Sequence, residues 1–404
     1  MSIDLEALYI DLHRHPELSF QETRTAGIAA GHLRALGLEV EEGVGITGVV
    51  GMLRNGDGPV VWARADMDGL PVEELTGLPY ASTATGIDPA GNTVSIMHAC
   101  GHDMHVTAMI GAVERLVAER DSWTGTLVVL IQPAEEHGAG SRAMLDAGIL
   151  DRYPRPDIVL GQHVTPLPAG VIGVRPGPQM AAADGITVTL HGRGGHGSRP
   201  HTTIDPVVMA AATVMRLQTI ASREVDPRGV GVVTVGAIHA GTKNNIIPAD
   251  ATLELSLRYP DDEARARVLA SVERIVRAES AASGAEREPE FRTEHTLPPT
   301  INDADATARV TAALTRVLGE GTVVDPGMFT GSEDVSWFAR DAGAPLVFWF
   351  WGGVDPAVYA AAEAAGTVSS MIPTNHSAYF APVPHPTIEV GVTAMATAVR
   401  EFLA

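Results

Sequence analysis

Apolar residues fall into short continuous runs, each broken by a polar cluster. "PVVWARADMD" leads to Asp66 and Asp68, "TLVVLIQPAEE" to Glu135 and Glu136, "DIVLGQHV" to His163, and "APLVFWFWGG" to glycines. Continuous Val/Ile/Leu runs suit strands covered on both faces. Pro133 cannot donate to a ladder and should stop the second strand. Between the runs, "DMHVTAMIGAVERLVAE" sets Met109, Val113, Leu116 and Val117 at helical spacing, with Asp103 as the expected N-cap. Strands alternating with helices predict an α/β domain with a mostly parallel sheet, in which ligands gather beyond the carboxyl ends of strands. His163 and the acidic clusters are expected beyond such ends.

From about residue 181 the rhythm changes. "GITVTLHG", "GVVTVGAI", "ATLELSLRY" and "EPEFRTEH" read as strands, and "DPVVMAAATVMRLQTI" and "DDEARARVLASVERIVRAE" as helices. The order β-α-β-β-α-β predicts a ferredoxin-like α+β unit. It is read as an insertion over 181–294, with 1–180 and 295–404 forming the first domain.

Composition narrows the class. Hydrophobic residues make up 45% and charged residues 19% of 404 positions, an ordinary globular balance. The net charge of -21 argues against nucleic acid and anionic lipid as partners. No basic n-region precedes an apolar stretch at the start, and no run long enough to span a bilayer occurs, so the expected compartment is the cytoplasm.

The single cysteine, Cys100, stands in "MHACGHDMH" beside His98, His102 and His105. A lone cysteine is usually a small buried hydrophobe. Here Gly101 permits a tight turn, and the following helix would favour a thiolate. Thiolate and imidazole on one loop are good ligands for a zinc-like ion. A nucleophile–base pair is the alternative, and residues two apart in a turn fit it poorly. In "PAEE" one carboxylate could hold the ion while the other takes a proton from water. Spacing alone does not assign them. With His163 and His376 of "PTNHSAYF", the candidates Cys100, His102, Glu136, His163 and His376 exceed one structural site and suit two ions close together.

Gly192, Gly194 and Gly197 have G-x-G-x-x-G spacing, but Pro200 and a longer loop intervene and no acidic residue follows at the required distance, so a dinucleotide fingerprint is rejected. The glycines instead suit close backbone approach. His196 among them is either a loop histidine or a donor to an oxyanion. Arg258 either pairs with a neighbouring carboxylate or clamps a substrate carboxylate. Asn245 of "NNIIP" is either a turn residue or a substrate contact.

Taken together, "LHRHPELSFQE", "RADMDGLPVEE", "MHACGHDMH", "QPAEE", "GQHV", "GRGGHGSRPH", "NNIIP", "GSEDVSWF" and "TNHSAYF" resemble, nearly end to end, the amidohydrolase branch of the M20 metallopeptidase family. That branch includes N-acyl-amino-acid, hippurate and indole-acetyl-amino-acid hydrolases. The resemblance implies two divalent ions (zinc, manganese, cobalt or nickel) held by Cys100, His102, Glu136, His163 and His376, with Glu135 as general base. It implies a lid that often dimerises, His196 reaching a substrate amide, and Asp66 as support behind the ligands. Arg64 stands where many relatives outside the branch carry a metal-binding histidine. Val335 replaces a common Phe, and "SLR" a common "GTR"; both leave the acyl group open. The expected substrate is a small N-acyl-amino acid. The alternatives are a dipeptidase or aminopeptidase of the same fold, and a metal-binding ligand sensor without catalysis.

Overall fold

The computed structural model describes residues 3–226 and 229–404. The apolar runs form the centre of a large sheet built from β1 (Glu39–Val44), β2 (Gly48–Asn55), β3 (Val60–Asp66), β4 (Gly125–Gln132), β5 (Ile158–Pro168), β6 (Ile172–Gly173), β7 (Val323–Val324) and β8 (Leu346–Val354). Their order is β1-β2-β4-β3-β5-β8-β6-β7. The central strands β4, β3, β5 and β8 run parallel. Antiparallel pairs β1–β2, β2–β4 and β8–β6 flank them. Every residue of β4 is buried, as the unbroken apolar run requires of a strand covered on both faces.

Helices α1 (Leu5–Arg14), α2 (Thr23–Ala35), α3 (His102–Ala118), α4 (Ala304–Leu318) and α5 (Pro384–Phe402) belong to the same unit. Val106, Ile110 and Val113 of α3 join Ala394 and Ala398 of α5 and Leu127, Val129 and Trp349 of the sheet in one core. Each fully buried Val or Leu contributes roughly 1.5–3 kcal/mol of transfer free energy, so α3, which carries His102, is anchored along its length. Asp103 is not its N-cap: α3 begins at His102 and Gly101 is the cap residue. The Asp103 carboxylate is instead engaged by His13, which replaces capping.

The chain divides into two compact units, one of residues 1–179, 301–327 and 334–404, the other of 180–300 and 328–333. The boundary lies later than position 295 because the last strand of the small sheet runs Glu290–Leu297. The stretch 328–333 joins that unit through the Ala181 amide, which donates to the Phe329 and Gly331 carbonyls at 3.0 Å each. The second unit's sheet is antiparallel, in the order Val232–Ala240, Asp250–Tyr259, Ala182–His191, Glu290–Leu297. With helices Pro206–Thr219 and Asp262–Ala282, this is the ferredoxin-like arrangement. Asp205 and Asp261 cap those helices through their side chains. Among the described residues no helix is long and apolar enough to cross a membrane.

Candidate metal centre

The loop between Met97 and α3 is shaped by Gly101, at φ +82, where a Cβ would stand 2.4 Å from Val164 Cγ1. Only glycine fits both the left-handed backbone and the space. The turn delivers Cys100 and His102 to the carboxyl ends of β3 and β4. Cys100 Sγ lies 3.4 Å from His163 Nε2. His163 Nδ1 donates to the Val164 carbonyl at 2.7 Å, which leaves Nε2 with its lone pair facing the sulfur. Burial holds His163 well below its ordinary pKa, so the imidazole is neutral. His163 lies inside β5 rather than beyond it. Pairing of β5 with β3 ends at Gly161, so the strand continues on β8 alone and His163 stands free of β3.

His102 Nδ1 faces Asp68 Oδ1 at 3.2 Å. Its Nε2 stands 3.5 Å from Asp66 Oδ2 and 3.9 Å from both Glu135 Oε2 and Glu136 Oε1. Burial alone would depress His102, but the carboxylates of Asp66, Asp68 and Glu136 carry it up to about 10. Glu136 is pushed up to about 8 by burial. The surroundings therefore favour positive charge at His102, while Glu136 resists staying a bare anion there. Glu136 Oε2 reaches His376 Nε2 at 3.4 Å. His376 sits at φ +72 with its side chain 58% exposed, and its amide donates to the Ala99 carbonyl at 2.8 Å.

Ligating atoms of Cys100, His102 and His163 lie within 4.8 Å of one another, as do those of Cys100, Glu136 and His376, and of His102, Glu135 and Glu136. Cys100 belongs to the first two groups. His102 Nε2 and Glu136 Oε1 are buried without a hydrogen-bond partner. Unpartnered buried nitrogen and oxygen beside a thiol are the vacant valences a soft or borderline divalent ion fills, so the residues present fit such ions. Asp66, His102 and His105 also cluster. His105, however, is spent: Nδ1 binds Asp66 and Nε2 accepts the Val164 amide at 2.9 Å. Asp66 also accepts from Arg64 at 2.7 Å. His98 is buried with both ring nitrogens unpartnered, and burial lowers it to about 4.

Two residues of the site escaped the sequence reading. Asp68 accepts the Glu135 and Glu136 amides at 3.1 Å each while engaging His102, so one carboxylate orients three functional groups. Asn375 donates to the Cys100 and Val164 carbonyls at 3.2 and 3.1 Å, fixing the loop of His376 to the loop of Cys100. Asp68 was visible only as an acid past a strand end; Asn375 had no signal beyond adjacency to His376.

His196, Asn245 and Arg258 belong to the second unit. The short strand Gly195–His196 pairs with Ile246–Ile247, and the Gly197 amide donates to the Asn245 carbonyl at 2.8 Å. A Cβ on Gly197 would stand 3.1 Å from that carbonyl oxygen, so the glycine serves close approach of these segments. His196 is exposed and its Nδ1 accepts the Ser198 amide at 3.1 Å. Arg258 lies near the far end of the strand Asp250–Tyr259, about 26 Å along it from Asp250 at strand rise. The structure thus brings Asn245 to His196 and does not bring Arg258 to either. Arg258 pairs with no carboxylate among the described residues; its Nη1 donates to the Leu257 carbonyl at 3.0 Å, while the nearby Asp184 takes Arg265 at 2.6 Å.

Comparison with known proteins agrees with this geometry. Residues 62–380 match Peptidase family M20/M25/M40. Thermostable carboxypeptidase 1 of Saccharolobus solfataricus is 39% identical over 84% of this chain and 84% of its own length. N-acetyl-L-cysteine deacetylase of Bacillus subtilis is 35% identical over 83% of this chain and 78% of its own. Hippurate hydrolase of Campylobacter jejuni is 35% identical over 83% and 85%. A Bacillus subtilis crystal structure, described as a dinuclear metal binding peptidase from the M20 family, superposes with a TM-score of 0.78 at 30% identity, over 98% of each chain. The chain belongs to peptidase family M20/M25/M40.

Proposed function

We propose that the chain is a metal-dependent amidohydrolase that cleaves N-acyl-amino acids to a carboxylic acid and a free amino acid. The observation that carries this reading is Cys100 shared by two donor groups, with one Glu136 oxygen near His102 and the other near His376. Cys100, His102, Glu136, His163 and His376 would hold two divalent ions, drawn from zinc, manganese, cobalt and nickel. Bound there, such ions lower the pKa of a water toward neutrality and polarise an amide carbonyl.

The chain's own groups do the rest. Glu135, outside the proposed ligand set, takes the proton of the attacking water and passes it to the leaving amine nitrogen. Asp68 fixes the ring of His102 and the backbone of Glu135 together, so base and ligand keep their spacing. His196 is proposed to donate to the developing oxyanion and Asn245, its neighbour, to contact substrate. Arg258 is a separate proposal, a clamp for the substrate carboxylate.

The relatives divide between acyl-amino-acid hydrolases and a carboxypeptidase. The carboxypeptidases match as much of the chain at higher identity, so deacylation is favoured over peptide cleavage only by the variety of relatives named for acyl-amino-acid hydrolysis. Hydrolysis of N-acetyl- and N-benzoyl-amino acids, assayed beside dipeptides on metal-analysed protein, tests the reading. Turnover of dipeptides alone would reassign it to the peptidase, and turnover of neither with metal bound would favour a sensor.

Self-association through the second unit completes the proposal. Val232–Ala240 is an edge strand with Ile238 exposed, and Val208 and Met215 are exposed on the helix Pro206–Thr219. Such an edge invites pairing with a second copy, and sedimentation of wild type against Ile238→Lys reads it out. A reducing, cytoplasmic setting keeps the Cys100 thiol available as a ligand; fractionation of cells tests that location.

A further inference from the structure

The motif "LHRHPELSFQE" supplies no ligand and no base, yet its last residue enters the site from behind. Glu22 is fully buried. Its Oε1 accepts the Ala134 amide at 2.9 Å and the Phe20 amide at 2.9 Å, and its Oε2 accepts the Thr47 hydroxyl at 2.5 Å. Ala134 immediately precedes Glu135 and sits at φ +47. A residue with a Cβ pays roughly 1–2 kcal/mol to stay left-handed, so this conformation persists only where the surroundings hold it.

The hold comes from two buried carboxylates that capture three successive amides. Glu22 takes Ala134, and Asp68 takes Glu135 and Glu136. The same N-terminal segment supports the second carboxylate, because Ser19 Oγ donates to Asp68 Oδ2 at 2.6 Å. Past the carboxylates the turn closes on itself: the Gly138 amide donates to the Glu135 carbonyl at 2.6 Å, and the Gly140 amide to the Ala134 carbonyl at 3.1 Å. The direction in which Glu135 leaves the backbone therefore depends on the turn at Ala134, whose amide Glu22 takes, as well as on Asp68, which takes the amide of Glu135 itself.

We propose that Glu22 is a positioning residue for the reaction: by holding Ala134 left-handed it aims the Glu135 carboxylate, without touching ligand or substrate. This rests on the reading of Glu135 as general base. A misplacement of about 1 Å at such a group costs on the order of 100-fold in rate.

The test compares Glu22→Met, which keeps the volume and removes the acceptors, with Glu22→Gln, which keeps an acceptor oxygen for the Ala134 amide. Turnover of an N-acetyl-amino acid is expressed per metal-loaded chain, with KM, metal content and thermal midpoint read beside it. Expected are a fall in kcat of about 100-fold for Glu22→Met with KM and metal content within twofold of wild type, and rescue to within about fivefold by Glu22→Gln. Wild-type kcat per metal-loaded chain in Glu22→Met overturns the proposal, as does equal loss in both variants. If Glu22→Met does not fold, Glu22→Asp serves: its carboxylate is kept but drawn back by one methylene, so kcat must still fall, and wild-type kcat overturns the proposal. Glu135→Gln run alongside separates the two claims. At wild-type rate it overturns the base assignment and this role with it; if it is inactive beside a fully active Glu22→Met, the positioning role alone is overturned.

Discussion

Replacing Gly101 with alanine should dislodge the loop that carries Cys100 and His102. At φ +82 the new side chain pays about 1–2 kcal/mol for its backbone conformation. Its Cβ would meet Val164 Cγ1 at 2.4 Å, where carbon atoms ordinarily rest about 3.5–4.0 Å apart, so one side must retreat by about 1 Å or more. Val164 is poorly able to retreat. Its amide donates to His105 at 2.9 Å, and its carbonyl accepts from His163 at 2.7 Å and Asn375 at 3.1 Å. Overpacking of that kind costs about 1–3 kcal/mol. The sum is about 2–5 kcal/mol. Placed on the metal-bound state, its lower end alone weakens binding by about 30-fold. The assay is calorimetric titration of zinc into chelator-stripped protein, with circular dichroism confirming that the strands and helices persist. Adding Val164→Ala should recover the packing share of the loss and leave the backbone share. An unchanged zinc affinity in Gly101→Ala would refute the reasoning about this loop.

Other consequences are open to direct measurement. Cys100→Ala removes the donor shared by two groups, so both ions should weaken together by at least tenfold; equilibrium dialysis showing one site untouched would contradict the sharing. His196→Ala should lower kcat while sparing metal content, and loss of metal would place His196 wrongly. His13 is depressed by burial, but the carboxylates of Asp103 at 2.6 Å and Glu74 at 3.1 Å outweigh that and raise it to about 9. A raised histidine stabilises fully below its unfolded pKa of about 6.5, and the contribution is lost as pH rises through about 9. The stability difference between wild type and His13→Gln in urea should therefore be largest near pH 6, on the order of 3 kcal/mol, and vanish by pH 10; a flat difference would contradict the pairing.

Much of the fold was legible because strands and glycine turns are local signals. The run "TLVVLIQ" had to be a covered strand, and β4 is buried at every position. "CGH" placed a thiol and an imidazole on one glycine turn, and the turn exists for the steric reason a glycine implies. What failed depends on distant backbone. Asp103 looked like a cap, but the pattern could not foresee that His13, from α1, takes its carboxylate. His98, His102 and His105 all stand close to Cys100 in the sequence; Asp66 and the Val164 amide, from β3 and β5, commit His105, whereas His102 keeps one unpartnered nitrogen and His98 keeps two. Glu22 and Asn375 act through backbone groups more than a hundred positions away, and a side chain that recognises an amide leaves no mark on the residue it holds. Arg258 and Asn245 each read as a substrate contact from its own motif, and neither motif shows the length of strand that lies between them.

The central claim is a pair of ions gripped by Cys100, His102, Glu136, His163 and His376 beside a carboxylate that is not a ligand. Metal analysis and turnover of one preparation of Glu135→Gln test it together. The account predicts two ions per chain, as in wild type, and loss of nearly all hydrolysis of N-acyl-amino acids. Wild-type turnover, or an ion lost with the substitution, would contradict it.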